Sequence, residues 1–314
     1  MKVPKLKIGK FIADLPIVQG GMAVKISTAK LAAAVAKEGG IGVIAGTGLE
    51  PEELRLEIQK ARSLTDGILG VNVLYAVKNF AALVKTAFAE KIDLLISGAG
   101  FSREMFIWGK ETGTAIVPVV SSAKLASLAE RLGAAAVVVE GKEAGGHLGT
   151  DRKMMDILPE VLKSVSIPVL GAGGIINGFD IAKVLKAGAQ GVQMGTRFAA
   201  SLESNASLTM KKRYVEATAE DVVVIPSPVG FPGRAVRNPF TDKISQGAIE
   251  IKKCHSCLKE CSHRYCIMEA LLEACQGEEE SNSLYFAGEG VTRIKEVLSV
   301  KEIFQQLLTE LALA

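Results

Sequence analysis

From Pro16 to Ala217 the chain repeats one unit eight times: a short apolar, β-branched run and then a longer segment of helical character. The runs are Pro16 to Gln19, Ile41 to Ala45, Ile68 to Leu74, Ile92 to Ser97, Ala115 to Val120, Ala135 to Glu140, Ile167 to Leu170 and Gly191 to Met194. The segments between and after them predict helices over Ser27 to Lys37, from Pro51 onward, and over Asn79 to Glu90, Arg103 to Lys110, Ala123 to Leu132, Met154 to Val165, Phe179 to Ala187 and Ser207 to Ala217. Strands that are apolar throughout are those buried on both faces, which is the situation in a parallel sheet covered by helices. Eight such units is the number that closes a barrel, so the expected fold is α/β, a (β/α)₈ or TIM barrel. The competing arrangement, an open doubly wound sheet, carries its glycine-rich phosphate loop after the first strand. Here the clearest glycine loops follow the seventh and eighth runs, which favours the barrel.

The rest of the sequence sets limits on partners and compartment. Hydrophobic residues make up 48% and charged residues 23%, the balance of a globular enzyme with a large core. Net charge is +3 with the basic residues scattered, which argues against nucleic acid as a partner. Met1 to Lys10 alternates lysine with apolar residues, unlike a signal peptide, and no apolar run is long enough for a bilayer, so no membrane is expected and the expected location is the cytoplasm. A small-molecule substrate is the expected partner, with a homodimer as the assembly. Residues 1–217 read as the barrel, 218–290 as an insertion or cap beside it, and 291–314 as a closing region whose helix, Val300 to Leu313, packs on the barrel. Within the cap, proline- and glycine-rich Pro226 to Pro239 reads as a loop, Tyr265 to Ala274 as a helix, and Glu278 to Ser283 as an exposed turn.

Four groups of residues could carry chemistry. Gly171-Ala172-Gly173-Gly174 and Met194-Gly195-Thr196 stand where (β/α)₈ barrels hold a phosphate; glycine lets backbone N–H groups approach an anion, and helices beginning beyond each loop would aim their positive ends at it. Glu140 to His147 follows the sixth run on the catalytic rim, and an imidazole there could exchange a proton near neutral pH. Gln19, Asn72, Ser121 and Ser122 stand at or near other strand ends, where each could bond the edge of a polar heterocycle. Cys254, Cys257, Cys261 and Cys266, with His255, His263 and Cys275 nearby, are spaced closely enough to converge on a zinc ion or an iron–sulfur cluster, although neither the zinc-ribbon nor the common ferredoxin spacing is matched. Reduced thiols on a helical segment are the alternative.

Several of these stretches, in order, resemble the nitronate monooxygenase family, formerly called 2-nitropropane dioxygenase, which includes the flavin-dependent enoyl-acyl carrier protein reductase of type II. They are Pro16 to Met22, Val71-Asn72-Val73, Glu143 to His147, Gly171 to Gly174 and Gln193 to Phe198. The resemblance implies a barrel that binds FMN, with Val18, Gln19, Gly20, Asn72, Glu140, Gly145, Ala172, Gly173, Gly174, Gly195 and Thr196 on the flavin or its phosphate and His147 at the active site. It also implies an oxidoreductase of one of two kinds. One oxidises nitronates or nitroalkanes with O₂; the other passes hydride from NAD(P)H through FMN to an enoyl thioester. The family has no general need of a cysteine cluster, and Glu289 stands where relatives often carry Gln.

Overall fold

The computed structural model describes residues 3–247, 249–277 and 279–314. Glu278, the first residue of the expected polar turn, and Met1 and Lys2 of the amino-terminal stretch lie outside the described residues.

The chain begins with a hairpin, β1 (Leu6–Ile8) and β2 (Phe11–Ala13). The barrel then alternates β3 (Ile17–Gln19), α1 (Ala29–Lys37), β4 (Gly42–Ala45), α2 (Pro51–Leu64), β5 (Leu69–Leu74), α3 (Phe80–Ala89), β6 (Leu94–Gly98), α4 (Glu104–Thr112), β7 (Ala115–Val120), α5 (Ala123–Leu132) and β8 (Val137–Glu140). After the two-residue strand β9 (Gly146–His147) it resumes with α6 (Met154–Ser164), β10 (Val169–Ala172), α7 (Gly178–Lys186), β11 (Gly191–Met194), α8 (Thr196–Ala199) and α9 (Leu208–Glu216). The remaining elements are β12 (Val222–Ile225), β13 (Gly233–Val236), α10 (Pro239–Gln246), α11 (Ile267–Gln276) and α12 (Val300–Leu313).

Eight strands form one parallel sheet in the order β3-β11-β10-β8-β7-β6-β5-β4. Its two edges meet: Gln19 N–H donates to Ile41 O and Ile41 N–H to Ile17 O, each at 2.9 Å. That pair of bonds closes the (β/α)₈ barrel. Branched side chains from successive strands, among them Val18, Val43, Ile96, Val117, Val138 and Leu170, fill its interior. Leu6, Ile8 and Ala13 of the hairpin join that cluster and stop the amino-terminal mouth. The lysines that alternate with them face solvent, so the Lys–apolar alternation of the first residues is a strand pattern.

The carboxyl-terminal mouth is covered by the chain after α9. Pro226 to Pro239 is not all loop: Gly233–Val236 is a buried strand between β12 and β9 in an antiparallel sheet, with Gly233 opposite His147 and Arg234 opposite Gly146. Four residues with one β-branched member carry almost no strand signal on their own; the pairing partners supply it. The segment that follows is tied to the rim by backbone bonds: Lys78 N–H to Cys257 O and Lys259 N–H to Ala76 O, both 2.9 Å. α12 packs against α7 and α1, where Phe304 and Leu307 are buried. No helix among the described residues is long and apolar enough to cross a membrane.

Candidate active site

A cavity of about 490 Å³ opens at the carboxyl end of the barrel strands. Its floor is made by the ends of β5, β8, β10 and β11, and its far wall by the cap segment, through Leu258, Met268 and Leu271. Of the residues expected to form a site, Gly20, Asn72, Glu140, Gly145, His147, Ala172, Gly173, Gly174, Met194, Gly195 and Thr196 all line it. Ser121 does too, whereas Ser122 turns away and caps α5 by accepting the Leu125 N–H.

Two expected residues are not on the cavity. Val18 points into the barrel core. The Gln19 amide is consumed by its own neighbourhood: Oε1 accepts the Val43 N–H at 3.0 Å, and Nε2 donates to Ser27 Oγ at 2.9 Å and to Gly20 O. Gln19 therefore braces the loop from Gly20 to Ser27, which does border the cavity, and has no side-chain donor left for a ligand.

The glycine loops supply a cradle. Gly173 (φ +110°) and Gly174 (φ +70°) adopt conformations that L-side chains rarely take. The amide N–H groups of Gly173, Gly174 and Gly195 bond to no described residue. The expected help from a helix terminus is absent at α7. There Asn177 Oδ1 takes the Asp180 N–H at 2.9 Å, the Asp180 carboxylate takes the Ile176 N–H at 2.8 Å, and Glu310 takes the Gly178 N–H at 2.7 Å. The first turn of α7 is thus capped from within the protein, and the unpaired loop amides belong to residues that border the cavity. Thr196 Oγ1 accepts the Gly288 N–H at 3.0 Å, tying the second loop to the cap. Gly145 has a packing reason as well as a position: a Cβ there would come 2.6 Å from the backbone of Ala287 and Gly288.

Two buried acceptors mark where a ligand donor would go. Asn72 Nδ2 donates to Gly21 O at 2.9 Å, but Asn72 Oδ1 has no partner, and neither has Gln193 Oε1. Both side chains line the cavity. Buried carbonyl oxygens left unpaired cost about 1–3 kcal/mol each, so both call for N–H or O–H donors from the cavity, a bound molecule or water. Gln193 stood in the sequence inside Gln193 to Phe198, yet its alternation with Val192 gave no sign that its amide is unpaired.

Charge in the cavity is muted. Burial pushes the Glu140 carboxyl up to about 7 and the His147 imidazole down to about 4. His147 is therefore neutral at physiological pH, contrary to a group titrating near 7, because the protonated ring would lose its water without gaining a counter-charge. Its Nε2 lies 2.8 Å from Ser227 Oγ, and its ring meets Phe286 edge to face at 5.3 Å. Arg234 is buried and turned away, donating to Lys142 O and pairing with Glu289.

The cysteines of the expected metal or cluster site lie near one another around Cys257. All five cysteines are free thiols, and among the described residues no three His, Cys, Asp or Glu side chains are grouped to hold an ion. Cys254 is exposed, Cys257 lies in the cavity wall and Cys266 stands before α11. Burial, with the neighbouring Cys266, raises the Cys257 thiol to about 11.

The chain matches the sequence profile of the nitronate monooxygenase family over residues 5–93 and 77–310. It belongs to that family. Among solved structures, it superimposes on FabK from Thermotoga maritima with a TM-score of 0.85 and 34% identity, covering 96% of this chain and 93% of that one. On nitroalkane oxidase from Streptomyces ansochromogenes the TM-score is 0.83 at 26% identity, covering 96% of each chain. A probable nitronate monooxygenase of Staphylococcus aureus is 30% identical over 278 residues, covering 74% of this chain and 78% of that protein. A (3aS,4S,5R,7aS)-5-hydroxy-7a-methyl-1-oxo-octahydro-1H-indene-4-carboxyl-CoA dehydrogenase of Mycobacterium tuberculosis is 33% identical over 236 residues, covering 74% of this chain but 66% of that protein's length.

Proposed function

We propose that this member of the nitronate monooxygenase family is an FMN-dependent oxidoreductase that oxidises nitronates. The observation that carries the cofactor is the set of unpaired groups on one cavity: the free amides of Gly173, Gly174 and Gly195 at one place and the orphaned carbonyls of Asn72 and Gln193 at another. Those are complementary to a molecule with an anionic phosphate and a heterocycle bearing N–H, which describes FMN. When bound, the flavin supplies the redox chemistry, accepting electrons from the substrate and returning them to O₂. The protein supplies position and electrostatics. The loop amides would hold the phosphate, while Asn72 and Gln193 would accept from the single ring N–H and a ribityl hydroxyl. His147, neutral and beside Phe286, meets the oxygen of an anion placed over the flavin.

A second reading, NAD(P)H-dependent reduction of an enoyl thioester, is favoured by the apolar wall that the cap adds through Leu258, Met268 and Leu271 and by the likeness to FabK over nearly the whole chain. In that reaction the same histidine would meet the thioester carbonyl oxygen. Purified protein is expected to show flavin absorbance near 370 and 450 nm; a protein that neither carries nor binds FMN would exclude both reactions. Anaerobic mixing then separates them: bleaching by a nitronate with no response to NADH or NADPH supports the first, and the reverse result supports the second.

A further inference from the structure

Ser227 lies on the connection between β12 and β13, 80 residues downstream of His147, and is 7% exposed. Its Oγ is 2.8 Å from His147 Nε2. The same oxygen receives the Val229 N–H at 3.4 Å. A hydroxyl has one hydrogen to give and two lone pairs to offer. With a lone pair already taken by Val229, the hydrogen is free to go to the nearest acceptor. The Tyr265 phenol lies beside this hydroxyl but outside hydrogen-bond geometry. The only ring nitrogen of His147 with a bond to a described residue is Nε2, and the ring itself borders the cavity.

We propose that Ser227 is a positioning residue that holds His147 as the Nδ1–H tautomer, so that the imidazole presents the cavity with a hydrogen-bond donor and not with a base. The ring needs no net charge to do this, because a neutral imidazole carries one N–H and one lone pair, and the lone pair is occupied by Ser227. The consequence for chemistry rests on the nitronate reading. A ring whose free nitrogen carries hydrogen can stabilise an oxygen that is already anionic. It cannot take the α-proton of a neutral nitroalkane. The substrate class is thereby narrowed to the preformed anion. The device is invisible from the histidine's own surroundings in sequence, because its partner comes from a sheet built by a distant part of the chain.

The test is direct. His147 is one of three histidines, so ¹⁵N-histidine spectra of the holoprotein at pH 7 can be assigned with a His147→Gln variant. The expected wild-type signature is a protonated-type Nδ1 and an unprotonated-type Nε2. Ser227→Ala should shift the ring to the Nε2–H form or a mixture, and Ser227→Thr, which keeps the hydroxyl, should preserve it. A wild-type ring protonated at Nε2, or a tautomer unmoved by Ser227→Ala, would overturn the proposal. In turnover, Ser227→Ala should lower kcat for a nitronate on the order of 10- to 100-fold, short of deleting an oxyanion donor outright, with Ser227→Thr restoring it. Wild-type enzyme should turn over nitronates and leave the corresponding neutral nitroalkanes untouched; rapid nitroalkane turnover would overturn the donor assignment. If the tautomer shifts as expected while the flavin fails to respond to any nitronate, the nitronate reading falls and the histidine assignment stands.

Discussion

Two ionisable side chains on the cavity are pushed in opposite directions, and their linkage to stability has opposite signs. His147 is depressed to about 4, so as pH falls below 6.5 the unfolded chain takes up a proton that the folded one refuses, and stability is lost down to about pH 4. Glu140 is raised to about 7, so its contribution is fully present below 4.5 and is lost as pH rises through 7. Between 4.5 and 6.5 the two slopes offset each other. In flavin-free protein, Glu140→Gln should therefore show a Tm that rises with pH across this interval relative to wild type. His147→Gln should show a Tm that falls. Parallel curves for wild type and both variants would mean that neither group is buried as described. Phosphate binding belongs to this scale too. Gly173→Ala forces a side chain into φ +110°, with its Cβ 3.2 Å from the Ala144 amide nitrogen, and should weaken FMN binding by about 10-fold or more when measured by fluorescence quenching.

Among the elements, α7 is the instructive one. Its N-terminus looks like the helix end that barrels present to phosphate, yet Asn177 and Glu310 take the N–H groups of Asp180 and Gly178, and the Asp180 carboxylate takes the Ile176 N–H just before it. Asn177→Ala should cost about 1 kcal/mol of stability in urea unfolding and leave the FMN dissociation constant unchanged. A loss of flavin affinity would show that the helix end takes part after all. Gly178, the first residue of that helix, is required for a different reason: a Cβ there would collide with the backbone of α12 at Leu307 and Leu311. Gly178→Ala should cost about 1–3 kcal/mol through overpacking, the range found when well-packed sites are forced to accept extra carbon. The barrel helices and strands were legible one by one, because each buries a continuous apolar face. β13 was not, because Gly233-Arg234-Ala235-Val236 becomes a strand only by pairing with β12 and β9.

In the whole molecule, the segment after α9 is a wall of the cavity and not a free appendage, since Lys78, Lys259 and Thr196 join it to the barrel rim. Its cysteines report on that arrangement. Thiol titration should find five reactive groups per chain in denaturant. In native protein Cys254, exposed, should react first, and Cys257, in the cavity wall, should be slowed by a ligand filling the cavity. A native protein whose thiols are silent until a chelator is added would contradict the free-thiol arrangement.

The eight apolar runs were enough to specify a closed parallel barrel, and the glycine loops after the seventh and eighth gave the expected place of an anion, because both depend on local pattern and on the order of elements. Asn72, Glu140 and His147 could likewise be read as candidates from their positions at strand ends. What each side chain does was settled by contacts between distant parts of the chain. Gln19 is spent on Val43 and Ser27, Asn72 and Gln193 keep an unpaired oxygen, and His147 is desolvated and bonded to Ser227. Hydrogen-bond satisfaction and burial are properties of the assembled neighbourhood, and no stretch of sequence carries them by itself.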